Sequence, residues 1–159
     1  MGLDMYLSAR KFVSGSEYAS EQDRTAFGSL VSVVNAESVV NGYNGLAPSA
    51  TVDLSVAYWR KANQIHAWFI SNCAGGNDDQ RQAYVSREQL TELLELCKQV
   101  KEGGKDLAEE LLPPSDGFFF GSSEISEWYW QDIDNTIDQL TTALAETSED
   151  WDFIYEASW

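Results

Sequence analysis

The sequence predicts an α+β fold, a small antiparallel sheet packed against about three helices, and three features carry that reading. Short segments with β-rich or alternating apolar and polar residues fall before residue 57. Three longer segments with a helical apolar period fall after it. Strand patterns followed by helix patterns favour α+β over a doubly wound parallel sheet. With 159 residues, 43% of them hydrophobic and 13% aromatic, a single domain spanning 1–159 can bury a core without staples.

The first strand is expected where Leu3-Asp4-Met5-Tyr6-Leu7 alternates and Lys11-Phe12-Val13 follows. Ser14-Gly15-Ser16-Glu17 reads as a turn. Residues 27–34 and 51–56 are rich in β-formers and predict two more strands, with the Gly- and Pro-bearing loop 42–48 between them. A first helix is expected over 57–72, because Tyr58, Ala62, Ile65 and Phe69 share a face flanked by Trp59 and Ile70. Gly75-Gly76-Asn77-Asp78-Asp79 ends it.

Residues 83–85 predict a short strand. Ser86 then caps a second helix, with Gln89 in capping-box position. Leu90, Leu93, Leu94, Cys97 and Val100 form its buried stripe, and Gly103-Gly104 stops it. After Pro113-Pro114, residues 117–121 read as a buried strand or packed turn. Ser122 or Ser123 caps a third helix that reaches about Ala145. Its stripe is Ile125, Tyr129, Ile133, Ile137, Leu140 and Leu144. Residues 151–155 return as an edge strand.

The formal net charge is −16, and it is unevenly placed. Residues 1–105 hold all ten Lys and Arg against twelve Asp and Glu, a net of −2. The strongly acidic final third, residues 106–159, holds fourteen Asp and Glu and no Lys or Arg, a net of −14. Such a surface repels nucleic acid and anionic membranes and attracts basic proteins. Its alternative use is solubility. No stretch reaches the roughly 18 apolar residues of a membrane-spanning helix. The start lacks signal-peptide character, and Tyr6 breaks the myristoylation pattern. Cys73 and Cys97, with no Asn-x-Ser/Thr sequon, predict free buried thiols in a reducing compartment.

Catalytic and metal motifs are weak. One histidine and two cysteines 24 positions apart offer no zinc spacing, and Asn77-Asp78-Asp79 lacks the alternation of a calcium loop. There is no Gly-x-Ser-x-Gly elbow. Gly103-Gly104-Lys105-Asp106 is not a phosphate loop. No cofactor and no catalytic residue is assigned.

Two clusters remain. Arg60, Lys61, Asn63 and His66 form a polar group that can bind an anion or a nucleotide, or place an imidazole as general base. His66 also borders the apolar face, where a hydrogen-bonded structural histidine is the simpler reading. On the third helix, Glu124, Glu127, Asp134 and Asp138 cluster opposite the apolar stripe. At a rise of about 1.5 Å per residue the row spans about 21 Å, like a line of phosphates. Trp128 and Trp130 add aromatic anchors. The alternative is a solvated helix face with core tryptophans.

The start Met1-Gly2-Leu3-Asp4-Met5-Tyr6-Leu7 and the block Trp59-Arg60-Lys61-Ala62-Asn63-Gln64-Ile65-His66 resemble a family of small proteins encoded by bacteriophages and prophages. So do Tyr84-Val85-Ser86-Arg87-Glu88-Gln89-Leu90, Gly117-Phe118-Phe119-Phe120-Gly121-Ser122 and the tryptophan-rich end. The resemblance implies a phage setting in a bacterial cytoplasm and carries no catalytic residue. Together with the acidic third, it leads to the expectation of an inhibitor. Such a protein binds a basic, nucleic-acid-binding host protein by nucleic-acid mimicry, in the manner of an anti-CRISPR or anti-restriction protein. The alternatives are a small enzyme or nucleotide-sequestering protein built on Arg60, Lys61, Asn63 and His66, and a structural or assembly protein kept soluble by its charge.

Overall fold

A computed structural model describes residues 2–115 and 121–159. The fold is α+β: a four-stranded antiparallel sheet with five helices among the described residues. The strands are β1 (Asp4–Ser14), β2 (Ser49–Arg60), β3 (Ala83–Val85) and β4 (Asp152–Ser158), in the order β2-β1-β4-β3. The helices are α1 (Glu21–Val33), α2 (Glu37–Asn41), α3 (Asn63–Cys73), α4 (Arg87–Leu111) and α5 (Glu127–Glu146). The chain divides into two compact units. The larger comprises Met1–Ala9 and Leu54–Trp159, the smaller Arg10–Asp53.

In the larger unit, β1 alternates as its sequence requires: Met5, Leu7 and Ala9 are buried and Tyr6 is exposed. Phe153, Tyr155 and Ala157 of β4 join the same core. Helix α4 begins at the expected capping box, where Ser86 Oγ accepts from Gln89 N and Gln89 Oε1 accepts from Ser86 N. Its stripe of Leu90, Leu93, Leu94, Cys97 and Val100 is buried as the spacing demands. Helix α5 packs Tyr129, Ile133 and Leu140 into that core, with Ile125, Ile137 and Leu144 half-buried against it. Cys97 is buried, Cys73 is half-buried, and both are free.

The smaller unit rests on Val13, Phe27 and Val31. Residues 27–33 are helical where the sequence predicts a strand. Ser20 caps α1 by accepting from Asp23 N, and Glu21 and Asp23 place negative charge at the positive end of the helix dipole. Phe27 and Val31, four apart, then meet Val13 on one face. The cap and this contact override the weak β preference of the valines. Gly15 permits the packing, because a Cβ there would lie 2.6 Å from the Phe27 ring.

Four other expectations are corrected. Residues 57–60 continue β2: Ala57 and Trp59 are buried while Tyr58 and Arg60 are exposed, a period of two rather than 3.6. The strand ends at Arg60, Lys61 turns the chain with a left-handed φ of 61°, and α3 begins at Asn63. Gly104 leaves helical geometry (φ 75°, ψ −158°) and stops the first helical run where expected, but a second run that the sequence reading did not foresee follows directly to Leu111, so α4 continues across a kink. Helix α5 starts at Glu127, with Ser126 rather than Ser122 or Ser123 at its N-cap position and no side-chain hydrogen bond from it to the helix end. Finally, β4 is an inner strand between β1 and β3, not an edge. Tyr84 of β3 pairs with Ile154 in antiparallel register. The predicted strand or turn over 117–120 lies outside the described residues.

Candidate functional site

The acidic third supplies core side chains from α5 and β4, but its carboxylates lie at the surface. Of its fourteen acids, twelve are exposed; Asp132 is half-buried and Asp116 lies outside the described residues. Helix α5 explains this on one element. Its buried stripe commits one side to the core, which leaves Glu127, Asp134 and Asp138 outward. Glu124 is also exposed but precedes the helix, and its N–H donates to Ser122 Oγ at 3.1 Å. The expected row of four is therefore three helical carboxylates and one from the leading turn.

The two tryptophans separate. Trp128 is 75% exposed between Glu127 and the helix interior. Trp130 packs against the core and meets Tyr129 edge-on at 5.2 Å. Of the two, Trp128 alone is exposed.

Positive charge reaches this region from α4. Lys101 Nζ lies 2.6 Å from Asp134 Oδ1. The hydrogen bond to Asp134, that carboxylate's charge and the nearby Asp138 all hold the Lys101 ammonium above its usual pKa. Both partners of the pair are about half exposed, so water screens it. Arg87, the first residue of α4, closes the far end of α5. Its guanidinium donates to Leu144 O, Thr147 O, Thr147 Oγ1 and Ser148 O at 2.8–3.0 Å. A helix without a basic residue in its own last turn thus receives a cation for its orphan carbonyls.

The Arg60–His66 group does not share a helical side, because Arg60 ends β2 and Lys61 forms the junction. Asn63 and His66 are buried and engaged inside the protein, while Arg60 and Lys61 are exposed. Asn63 Nδ2 donates to Ser122 O at 3.0 Å, and its Oδ1 accepts from Ser115 N at 2.9 Å. Gly121 fits this clasp through a φ of 98°, and a Cβ there would stand 3.0 Å from Lys61 O. His66 is 3% exposed. Its Nδ1 lies 2.7 Å from the Tyr155 hydroxyl and its Nε2 3.2 Å from Asp78 Oδ2. The cavity beside Lys61, Asn63, Gln64 and Asp132 measures about 40 Å³. Small-molecule sites run to roughly 300 Å³ or more, so this space suits a water rather than a nucleotide.

Sequence reasoning missed Asp132. Burial pushes its carboxyl up to about 6, while Gln64 Nε2, 3.5 Å away, acts in the opposite direction. The signal was present, since Asp132 adjoins Ile133 and stands one turn before the buried Thr136. Nucleophilic chemistry has little support. Burial raises the Cys73 thiol to about 11 and the Cys97 thiol to about 12, keeping both protonated at neutral pH. Among the described residues no group of three His, Cys, Asp or Glu side chains can hold a metal. No helix among them is long and apolar enough to cross a membrane.

No family model, curated protein or solved structure matches this chain. The surface must therefore be read from its own chemistry. That chemistry is one of dense exposed carboxylates around a single outward tryptophan, on a helix fixed at both flanks.

Proposed function

We propose that the protein is an acidic binding protein that occupies the nucleic-acid-binding surface of a basic partner. The observation that carries the reading is the exposure of twelve of the fourteen acids after residue 105, with no Lys or Arg interspersed in that stretch. Carboxylates on a packed helix are held in place before binding, so docking loses less conformational entropy than it would with a flexible acidic tail. Opposite charge accelerates encounter, and burial of Trp128 slows release. Three members of the row and Trp128 lie on α5, and Glu124 lies just before it.

The resemblance of the sequence blocks to phage and prophage proteins supplies the setting we propose, the cytoplasm of a bacterial host. The partner class is then a defence or other nucleic-acid-binding protein of that host, as for anti-CRISPR and anti-restriction proteins. The competing enzyme or nucleotide-binding reading has less support, because Asn63 and His66 spend their polar atoms on internal partners.

The test is displacement. Labelled duplex DNA or guide RNA is bound to a panel of restriction enzymes and CRISPR effectors, and the protein is titrated in while anisotropy is read. The proposal predicts release of nucleic acid from at least one member, weakening steeply as salt screens charges over about 8 Å. Absence of displacement from every basic member at low salt counts against it.

A further inference from the structure

The chain holds two Asn-Gly steps, Asn41-Gly42 and Asn44-Gly45, both in the smaller unit. Such a step is chemically reactive, because glycine has no Cβ to crowd the approach of its nitrogen to the asparagine Cγ. The two steps are held differently. Asn41 is the last residue of α2, and Gly42 continues its turn at φ −87° and ψ −1°. The Gly42 N–H donates to Ser38 O at 3.2 Å, so ring closure at Asn41 has to turn that nitrogen away from its acceptor. Asn44 and Gly45 lie in the stretch 43–48, outside helix and strand, and both are exposed. Among the described residues the Gly45 N–H meets no acceptor. A Cβ at Gly45 would run into the ring and hydroxyl of Tyr43, so the chain follows a path here that suits glycine.

We propose that Asn44 is a self-modifying site, converted by water alone to an acidic residue, and that α2 protects Asn41 from the same reaction. A base in solution takes the Gly45 amide proton, and the nitrogen attacks Asn44 Cγ. The Cγ–Nδ2 bond breaks, and the amide nitrogen leaves as ammonia with a proton from solvent. A five-membered succinimide now joins residues 44 and 45. Water opens it, giving its hydroxyl to one carbonyl carbon and its proton to the nitrogen. Cleavage of the new N–Cγ bond leaves aspartate at position 44. Cleavage of the original peptide bond leaves isoaspartate, whose main chain runs through Cβ and lengthens the connection from α2 to β2 by one atom. Either product carries a carboxylate. The smaller unit holds five acids and three bases, so its net charge goes from −2 to −3. The reaction uses no residue of the acidic helix and stands apart from the binding reading above.

The test incubates the full chain in mildly alkaline buffer made with heavy-oxygen water, then maps its peptides by mass in ordinary water. Each event replaces an amide –NH2 by –OH and adds about 3 Da rather than the usual ~1 Da, which dates the hydrolysis to the incubation. Fragmentation assigns the gain to Asn44 or to Asn41. In the folded protein Asn44 should convert about tenfold or more faster than Asn41. The rate should rise with pH, as removal of the amide proton requires. In urea, where the Gly42 hydrogen bond is lost, the two steps should react at similar rates. Asn44→Gln should abolish the gain at position 44, since the longer side chain has to close a six-membered ring. The proposal is overturned if Asn44 stays intact in the folded chain, or if Asn41 keeps pace with it before unfolding.

Discussion

The two compact units solve opposite problems. The larger one concentrates charge at its surface, a net of −14, and offsets that self-repulsion with a large core built from β1, β4, α3, α4 and α5. The smaller one is nearly neutral but buries only three apolar side chains and leaves several of its valines in water. Charge density is affordable where apolar burial is deep.

That contrast should appear first in stability. Ile133 is fully buried among α4 and α5, so Ile133→Ala should cost about 3 kcal/mol of unfolding free energy in urea titration. Val31→Ala should cost about 1 kcal/mol, because its site is smaller and nearer solvent. Equal losses would mean that the two units share one level of packing. Next in size is the clamp on α5. Arg87→Ala removes four hydrogen bonds to the helix end and the contact of the guanidinium with Phe153, and should cost about 2 kcal/mol. Arg87→Lys should recover only part of it, since an ammonium cannot span the same carbonyls.

These elements were not equally legible in the sequence. The capping box at Ser86 and Gln89 and the stripes of α4 and α5 could be read because they are local and periodic. The helical state of Phe27 to Val33 was hidden by β-branched residues, although the Ser20 and Asp23 cap was in plain view. The end of β2 at Arg60 was misread because Trp59 is placed by a partner 77 positions away, where its Nε1 donates to Thr136 Oγ1 at 2.8 Å. Strand order left no local trace at all, so β4 was expected at an edge and sits inside. Of the site, the residue types were legible. The internal engagement of Asn63 and His66, and the pairing of Asp134 with Lys101, depend on tertiary contacts that no spacing encodes.

A smaller effect separates useful from costly charge within the acidic unit. The folded-state pKa of Asp132 is raised above its unfolded value, so the folded protein holds the proton more tightly. Stability should therefore fall as pH rises from about 4 to about 6, and the penalty is complete above that. Asp132→Asn should raise stability at pH 7.5 by about 1 kcal/mol, after discounting for the group's partial solvent access, and by almost nothing at pH 4. Thermal melts at the two pH values measure this difference. An equal effect at both would remove burial of charge as its cause.

The most direct measurement compares the parent with a variant in which Glu124 and Glu127 become Gln and Asp134 and Asp138 become Asn. All four are exposed, and the pair that Asp134 makes with Lys101 is half in water, so melting temperature should shift by only a few degrees. Both proteins are then titrated against nucleic acid bound to a basic defence protein that the parent displaces. The account predicts that the neutralised variant associates more slowly and needs about tenfold or more protein for the same displacement, with a flatter dependence on salt. If the folded variant displaces nucleic acid as well as the parent does, the carboxylates of this helix are a solvated coat and the mimicry is contradicted.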